Sequence, residues 1–127
     1  NTIVVGIDLK RKCIKILIPT HEPGGLDAQI YPHWKDAPVL TIVSLCDSDV
    51  TDVETLKLAS DELIVNVIRE KGIKHVITQS LSTRALDLLN RLGVGVLLCT
   101  SKTVKEAIEK FLKKELYLVT LTKTKLK

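Results

Sequence analysis

Few side chains in this sequence could hold a metal or an anion, and they are widely spaced. The cysteines stand at Cys13, Cys46 and Cys99, and the histidines at His21, His33 and His75. There is no CxxC pair and no H-E-x-x-H motif, so no local motif builds a closed metal site. An odd count of isolated thiols fits ordinary core residues in a reducing compartment. Cys13 and Cys46 fall in strand-like runs and read as core or edge positions. Cys99 ends an apolar run, where cysteine behaves as a small hydrophobe unless a cluster recruits it. His33 is the candidate metal ligand, because imidazole suits iron. Its alternative is a surface histidine beside Trp34, flanked by Tyr31 and Pro32. His21, in a loop, is the weaker candidate.

Anion chemistry has a fuller cast. Ser80, Ser82 and Arg84 follow one strand-like run, and Ser101 and Lys102 follow another. Hydroxyls and a guanidinium beside helix N-termini suit a small anion. Arg84 also reads as an ordinary first-turn surface residue. Catalytic motifs are missing: no P-loop, no G-x-G-x-x-G and no nucleophile elbow. Ile3-Val4-Val5-Gly6-Ile7-Asp8 is similar to the first strand of Mg²⁺-dependent nucleases and phosphotransferases. That chemistry needs further carboxylates at neighbouring strand ends, and His75 to Gln79 offers none.

The elements that must position these residues follow from pattern. Thr2–Ile7, Cys13–Ile18 and Val39–Leu45 read as strands, with Val50–Leu58 returning antiparallel. His21-Glu22-Pro23-Gly24-Gly25 is the strongest loop signal. A helix follows Ser60, with Leu63, Ile64, Val67 and Ile68 on one face and Gly72 as its stop. A strand at His75–Thr78 leads to a helix over Ser82–Leu92, with Ala85, Leu88, Leu89 and Leu92 inward. Val94–Cys99 is a further strand. Thr103-Val104-Lys105-Glu106 is a capping box opening a helix to about Lys114, with Ala107, Ile108 and Phe111 buried. Leu116–Leu121 closes the series as a strand. The second half alternates strand and helix and should form parallel neighbours, whereas the first half should be antiparallel. The expected architecture is one α/β domain, a mixed sheet with helices packed on it.

Composition agrees. The chain has 127 residues, 45% apolar but only 3% aromatic, so the core is aliphatic. No apolar run approaches the roughly 20 residues of a membrane helix. The start does not read as a signal peptide, so a soluble cytoplasmic protein is expected. Methionine is absent and Asn plus Gln are few, while lysine abounds, a pattern of thermophile chains. The missing Met further suggests a natural start elsewhere than Asn1, or processing. The net charge of +4 comes without aromatics beside the basic clusters at Lys10-Arg11-Lys12 and Lys123, Lys125 and Lys127. A nucleic-acid partner is therefore not expected.

Several segments together resemble the dinitrogenase iron–molybdenum cofactor biosynthesis family. They are Lys15-Ile16-Leu17-Ile18-Pro19-Thr20, then Gly25-Leu26-Asp27, and then His33 ahead of Ala37-Pro38. The resemblance continues through Val76-Ile77, Arg84-Ala85-Leu86-Asp87-Leu88-Leu89, Gly93-Val94-Gly95-Val96 and Thr103-Val104-Lys105-Glu106-Ala107, spanning about Lys15 to Leu116. It implies a ribonuclease-H-like, three-layer fold: a five-stranded mixed sheet with about three helices. Residues 1–12 and 117–127 would be peripheral extensions of this single domain, with extra terminal strands. It also implies a binding or carrier role without turnover, for an iron–sulfur or iron–molybdenum cluster or another small anion. His33 would be the metal ligand, and Ser80, Ser82, Arg84 and Cys99 would contact the guest. The sequence departs from the family at His33-Trp34-Lys35-Asp36-Ala37, which lacks the usual glycine and arginine, and at Ser80-Leu81-Ser82-Thr83, which replaces a glycine-rich loop. The alternative reading is a cofactor-free interaction or assembly module. Cys13–Ile18 should be central in the sheet, so Thr2–Ile7 must add at an edge, pair with Leu116–Leu121, or pair with another chain. The last would make a homodimer, which is expected over a monomer.

Overall fold

The computed structural model describes residues 13–33, 36–57 and 61–119. The expected strand at Thr2–Ile7, Asp8, the basic clusters near both ends, Trp34, Lys35 and the Ser60 cap lie outside the described residues. The chain runs β1 (Cys13–Thr20), β2 (Val39–Cys46), β3 (Asp49–Lys57), α1 (Asp61–Lys71), β4 (Ile73–Thr78), α2 (Thr83–Arg91), β5 (Gly95–Leu98), α3 (Val104–Leu112) and β6 (Tyr117–Val119). The strands form one sheet in the order β3-β2-β1-β4-β5-β6.

As expected, β1, β2 and β3 are antiparallel, while β4 and β5 run parallel to β1. The five expected core strands are joined by the strand expected at Leu116–Leu121, here Tyr117–Val119, which makes six among the described residues. β6 adds to β5 antiparallel through Val96↔Val119 and Leu98↔Tyr117, because the chain after α3 returns along the free edge of β5. β1 is central, paired on both sides.

Both faces of the sheet are covered, which explains the near-continuous apolar runs. On one face Leu17, Leu40, Ile42, Val76 and Val96 pack against Ile64, Val67 and Ile68 of α1 and against Ala85, Leu86 and Leu89 of α2. On the other, Ile16, Ile18, Val43, Ile77 and Leu97 meet Val104, Ala107 and Ile108 of α3. Neighbours such as Ile16 and Leu17 thus serve different cores, and each such buried side chain contributes about 1.5–3 kcal/mol.

Three expectations shift in detail. The buried stripe of α2 holds Leu86, not Leu88, which is 38% exposed. The stripe is rotated because Ala85, Leu86 and Leu89 face the sheet together. α3 ends at Leu112, and Phe111 is only half-buried at its last turn. Finally, Cys13 and Cys46 are not thiols but a disulfide. They stand directly opposite one another in the β1–β2 register, a consequence of the pairing that their 33-residue separation does not reveal.

Candidate functional site

β1, β4 and β5 all end at the same edge of the sheet, the position where open α/β sheets take ligands. The connections leaving that edge are residues 21–38, 79–82 and 99–103. The first is the longest, and main-chain bonds hold it from several sides. It folds back along its own strand, with His21 N–H donating to Gln29 O at 3.0 Å and Tyr31 N–H to Pro19 O at 3.0 Å. It also crosses to the α3 entrance, where Ile30 N–H donates to Lys102 O at 2.8 Å.

Its inner side rests on buried hydroxyls. Thr20 Oγ1 donates to Val39 O at 3.1 Å and shares a 2.9 Å hydrogen bond with Thr41 Oγ1, which also accepts from Gly25 N–H at 3.2 Å. Gly24 has φ +82, and a Cβ there would lie 2.8 Å from Thr55 Cγ2 and 2.9 Å from Val39 Cγ1. The loop can press this closely onto β2 and β3 only with glycine at that position. The Glu22–Pro23 bond just before it is cis.

The two helix N-termini at this edge differ. α3 was expected to offer free N–H groups, and the structure corrects this. Val104 N–H donates to Ala28 O at 3.1 Å and Lys105 N–H to Leu26 O at 2.9 Å, so the loop's own carbonyls take the place of an anion. Thr103 Oγ1 accepts from Glu106 N–H at 3.3 Å, as the capping box predicts, but the Glu106 carboxylate reaches Lys102 N–H at 3.0 Å, one residue further back. α2 remains available. Ser82 Oγ accepts from Ala85 N–H at 3.1 Å, while the N–H groups of Thr83 and Arg84 have no acceptor among the described residues. Arg84 is exposed and makes no ion pair with a described residue.

The candidate residues are therefore partly gathered. Ser80, Ser82 and Arg84 share the β4–α2 connection. Ser80 Oγ donates to Pro32 O at 2.8 Å, which ties that connection to the residue before His33. His33 is exposed beside this tie, and its carbonyl accepts from Asp36 N–H at 3.0 Å. His21 lies on the same long loop, its ring 4.8 Å from that of Tyr31.

Cys99 is placed differently. It is 7% exposed and belongs to the α3-side core, at the floor of a separate cleft of about 350 Å³ with Gln79, Lys110 and Tyr117. Burial pushes its thiol pKa up, against smaller opposite pulls from the Ser101 backbone and the Lys110 ammonium, so it stays a neutral thiol. No group of three or more His, Cys, Asp or Glu residues that could hold a metal ion occurs among the described residues.

Sequence reading missed the supports of this edge: Thr20, Thr41 and Thr78, fully buried hydroxyls, and Gln79, whose Nε2 donates to Ser101 O at 2.9 Å. Thr20 and Thr78, each closing an apolar strand run, were the available signal, whereas Thr41 lies inside β2. Ser101 Oγ is buried without a partner among the described residues.

A sequence profile described as dinitrogenase iron–molybdenum cofactor matches residues 13–114, from the first residue of β1 to just beyond α3. The chain belongs to that family. Among solved structures it is similar to MJ0327 of Methanocaldococcus jannaschii (16% identity, TM-score 0.72, covering 87% of this chain and 99% of that one). It is also similar to TM1290 of Thermotoga (22% identity, TM-score 0.69, 87% and 97%). A further likeness is to the apo form of the orange protein of Desulfovibrio gigas (22% identity, TM-score 0.67, 83% and 92%). At these identities the likenesses establish a shared fold. Among curated proteins none matches the chain. No helix among the described residues is long and apolar enough to cross a membrane. Membership of the dinitrogenase cofactor family thus rests on the profile, and the site above is what this member brings to it.

Proposed function

We propose that this chain is a binding or carrier protein, not an enzyme, and that its cargo is an anionic metal cluster of the iron–sulfur or iron–molybdenum kind. The observation that carries the reading is the open N-terminus of α2 beside Arg84, within a chain of the cofactor family. Two main-chain N–H groups and a guanidinium form a cradle for negative charge. The donor set fits a guest that brings its own inorganic ligands, since the described residues supply no cluster of protein ligands. His33, exposed next to the Ser80–Pro32 tie, would add a single imidazole ligand. The ribonuclease-H-like reading belongs to the same proposal, supported by three antiparallel strands followed by two parallel ones.

The test is anaerobic reconstitution with iron and sulfide, with bound metal measured for the parent, His33→Ala and Arg84→Ala. Stoichiometric metal in the parent, reduced at least several-fold in both variants, is the expected result. Metal uptake indifferent to both substitutions would sink the site, and no uptake by the parent would sink the iron–sulfur cargo.

A second reading, an assembly module or homodimer without cofactor, has one observation in its favour. Tyr117 and Leu118 on β6 are 78% and 62% exposed, an apolar pair on an outer strand of the sheet. Sedimentation at rising concentration separates the two readings. A Leu118→Lys substitution should dissociate a dimer built on that edge without affecting metal uptake.

A further inference from the structure

We propose that the Cys13–Cys46 disulfide is a thiol-exchange site that fastens and releases the base of the hairpin whose tip is the candidate-site loop. The bonded residues are the first of β1 and the last of β2 and lie opposite one another in register. The bond therefore closes a loop that contains the whole connection between Thr20 and Val39.

What the bond holds follows from topology. β1 keeps its place without it, because β4 pairs with β1 from Lys15 onward. Among the described residues, β2 and β3 are joined to the rest of the sheet only through β1. Opening the bond frees the β2–β3 end, where Asp47 (φ 59) and Ser48 make a two-residue turn and Leu45 pairs with Val50. From Asp47 to Asp52 the described residues are exposed, so past Leu45, which is buried in the α3-side core, packing does little to hold the end closed.

Access follows from burial. Cys13 is exposed and Cys46 is half-buried, so a small thiolate meets the Cys13 sulfur first. Its attack forms a bond to Cys13 Sγ and breaks the Sγ–Sγ bond. Cys46 leaves as thiolate and takes a proton from water. A second small thiol then attacks the mixed disulfide, leaving Cys13 as a thiol and a small-molecule disulfide as the oxidised product. The reverse steps, driven by that small-molecule disulfide, close the bond again. Cys99, the remaining thiol, is buried in the α3-side core and does not compete.

The experiment equilibrates the purified protein in glutathione buffers of graded redox ratio, then alkylates it and weighs it. Melting temperature and amide exchange are measured at both extremes. The expected result is two thiols appearing together, with a fall in melting temperature of roughly 5–15 °C on reduction. Exchange should quicken at Leu45 and Val50 but not at Leu17 or Ile77. A Cys13→Ser/Cys46→Ser double variant should melt near the reduced parent and ignore the buffer. If that variant does not fold, the parent in a phosphine reductant supplies the reduced comparison. Three alkylatable thiols in unreduced, unfolded protein would overturn the proposal, as would reduction that leaves melting and exchange unchanged.

Discussion

His75 and Gly95 share one small space on the α3 side of the sheet. A Cβ at Gly95 would lie 3.1 Å from His75 Cδ2, and the Phe111 ring sits edge-on at 5.4 Å. The imidazole is half-buried, and its Nδ1 has no partner among the described residues. Burial, and then the charge of Lys74, lower its pKa from 6.5. The folded protein therefore resists a proton that the unfolded chain accepts. Stability is full above pH 6.5 and falls as pH drops from there toward the depressed folded value, below which this residue adds no further loss. Urea midpoints measured from pH 8 down to pH 4.5 should decline more steeply in the parent than in His75→Gln. At the opposite end of the strands, Gly24→Ala should destabilise by about 1–3 kcal/mol, since the new methyl meets Thr55 and Val39 at a positive φ. Chemical denaturation measures this directly. Neither constraint was legible in the sequence. Gly24 announced a loop but not the strand it touches, and His75 was only one residue of a strand.

Capping is the element-scale counterpart. Ser82 was read as a contact for a guest, yet its hydroxyl already caps α2 through Ala85 N–H. Ser82→Ala should therefore lower stability by about 1 kcal/mol, visible in the melting temperature whether or not any guest is present. Ser80 works between elements, and Ser80→Ala should release residue 32 from the β4–α2 connection. Its effect should show as faster exchange in the loop and little change in global stability. The elements themselves were largely legible. Alternation gave the strands, glycines gave the helix stops, and Thr103 with Glu106 gave the start of α3. The rotated face of α2 was not legible, because four leucines at Leu86, Leu88, Leu89 and Leu92 permit more than one apolar stripe. Which one is chosen depends on the sheet beneath it.

At the scale of the whole molecule, the sheet separates two cores that share no helix. Leu89→Ala on one side and Ile108→Ala on the other should each cost about 2–5 kcal/mol. Their effects should add in a double variant to within about 0.5 kcal/mol, because the layer between them prevents shared neighbours. Denaturant titration of the three variants checks this. The mixed topology was foreseen from the contrast between the two halves of the chain. The pairing of the last strand with β5 and the disulfide were not, since both are set by where a returning segment lies in space.

The α3 entrance carries a consequence of another kind. Because Leu26 and Ala28 accept its first N–H groups, and Lys102 accepts from Ile30, residues 26–30 of the longest connection at this edge are held in place by the protein itself. Much of the conformational entropy that a guest would otherwise have to remove is already gone before it arrives. Calorimetry of an anion binding here should show a small heat-capacity change and little entropic penalty, the signature of a host shaped in advance.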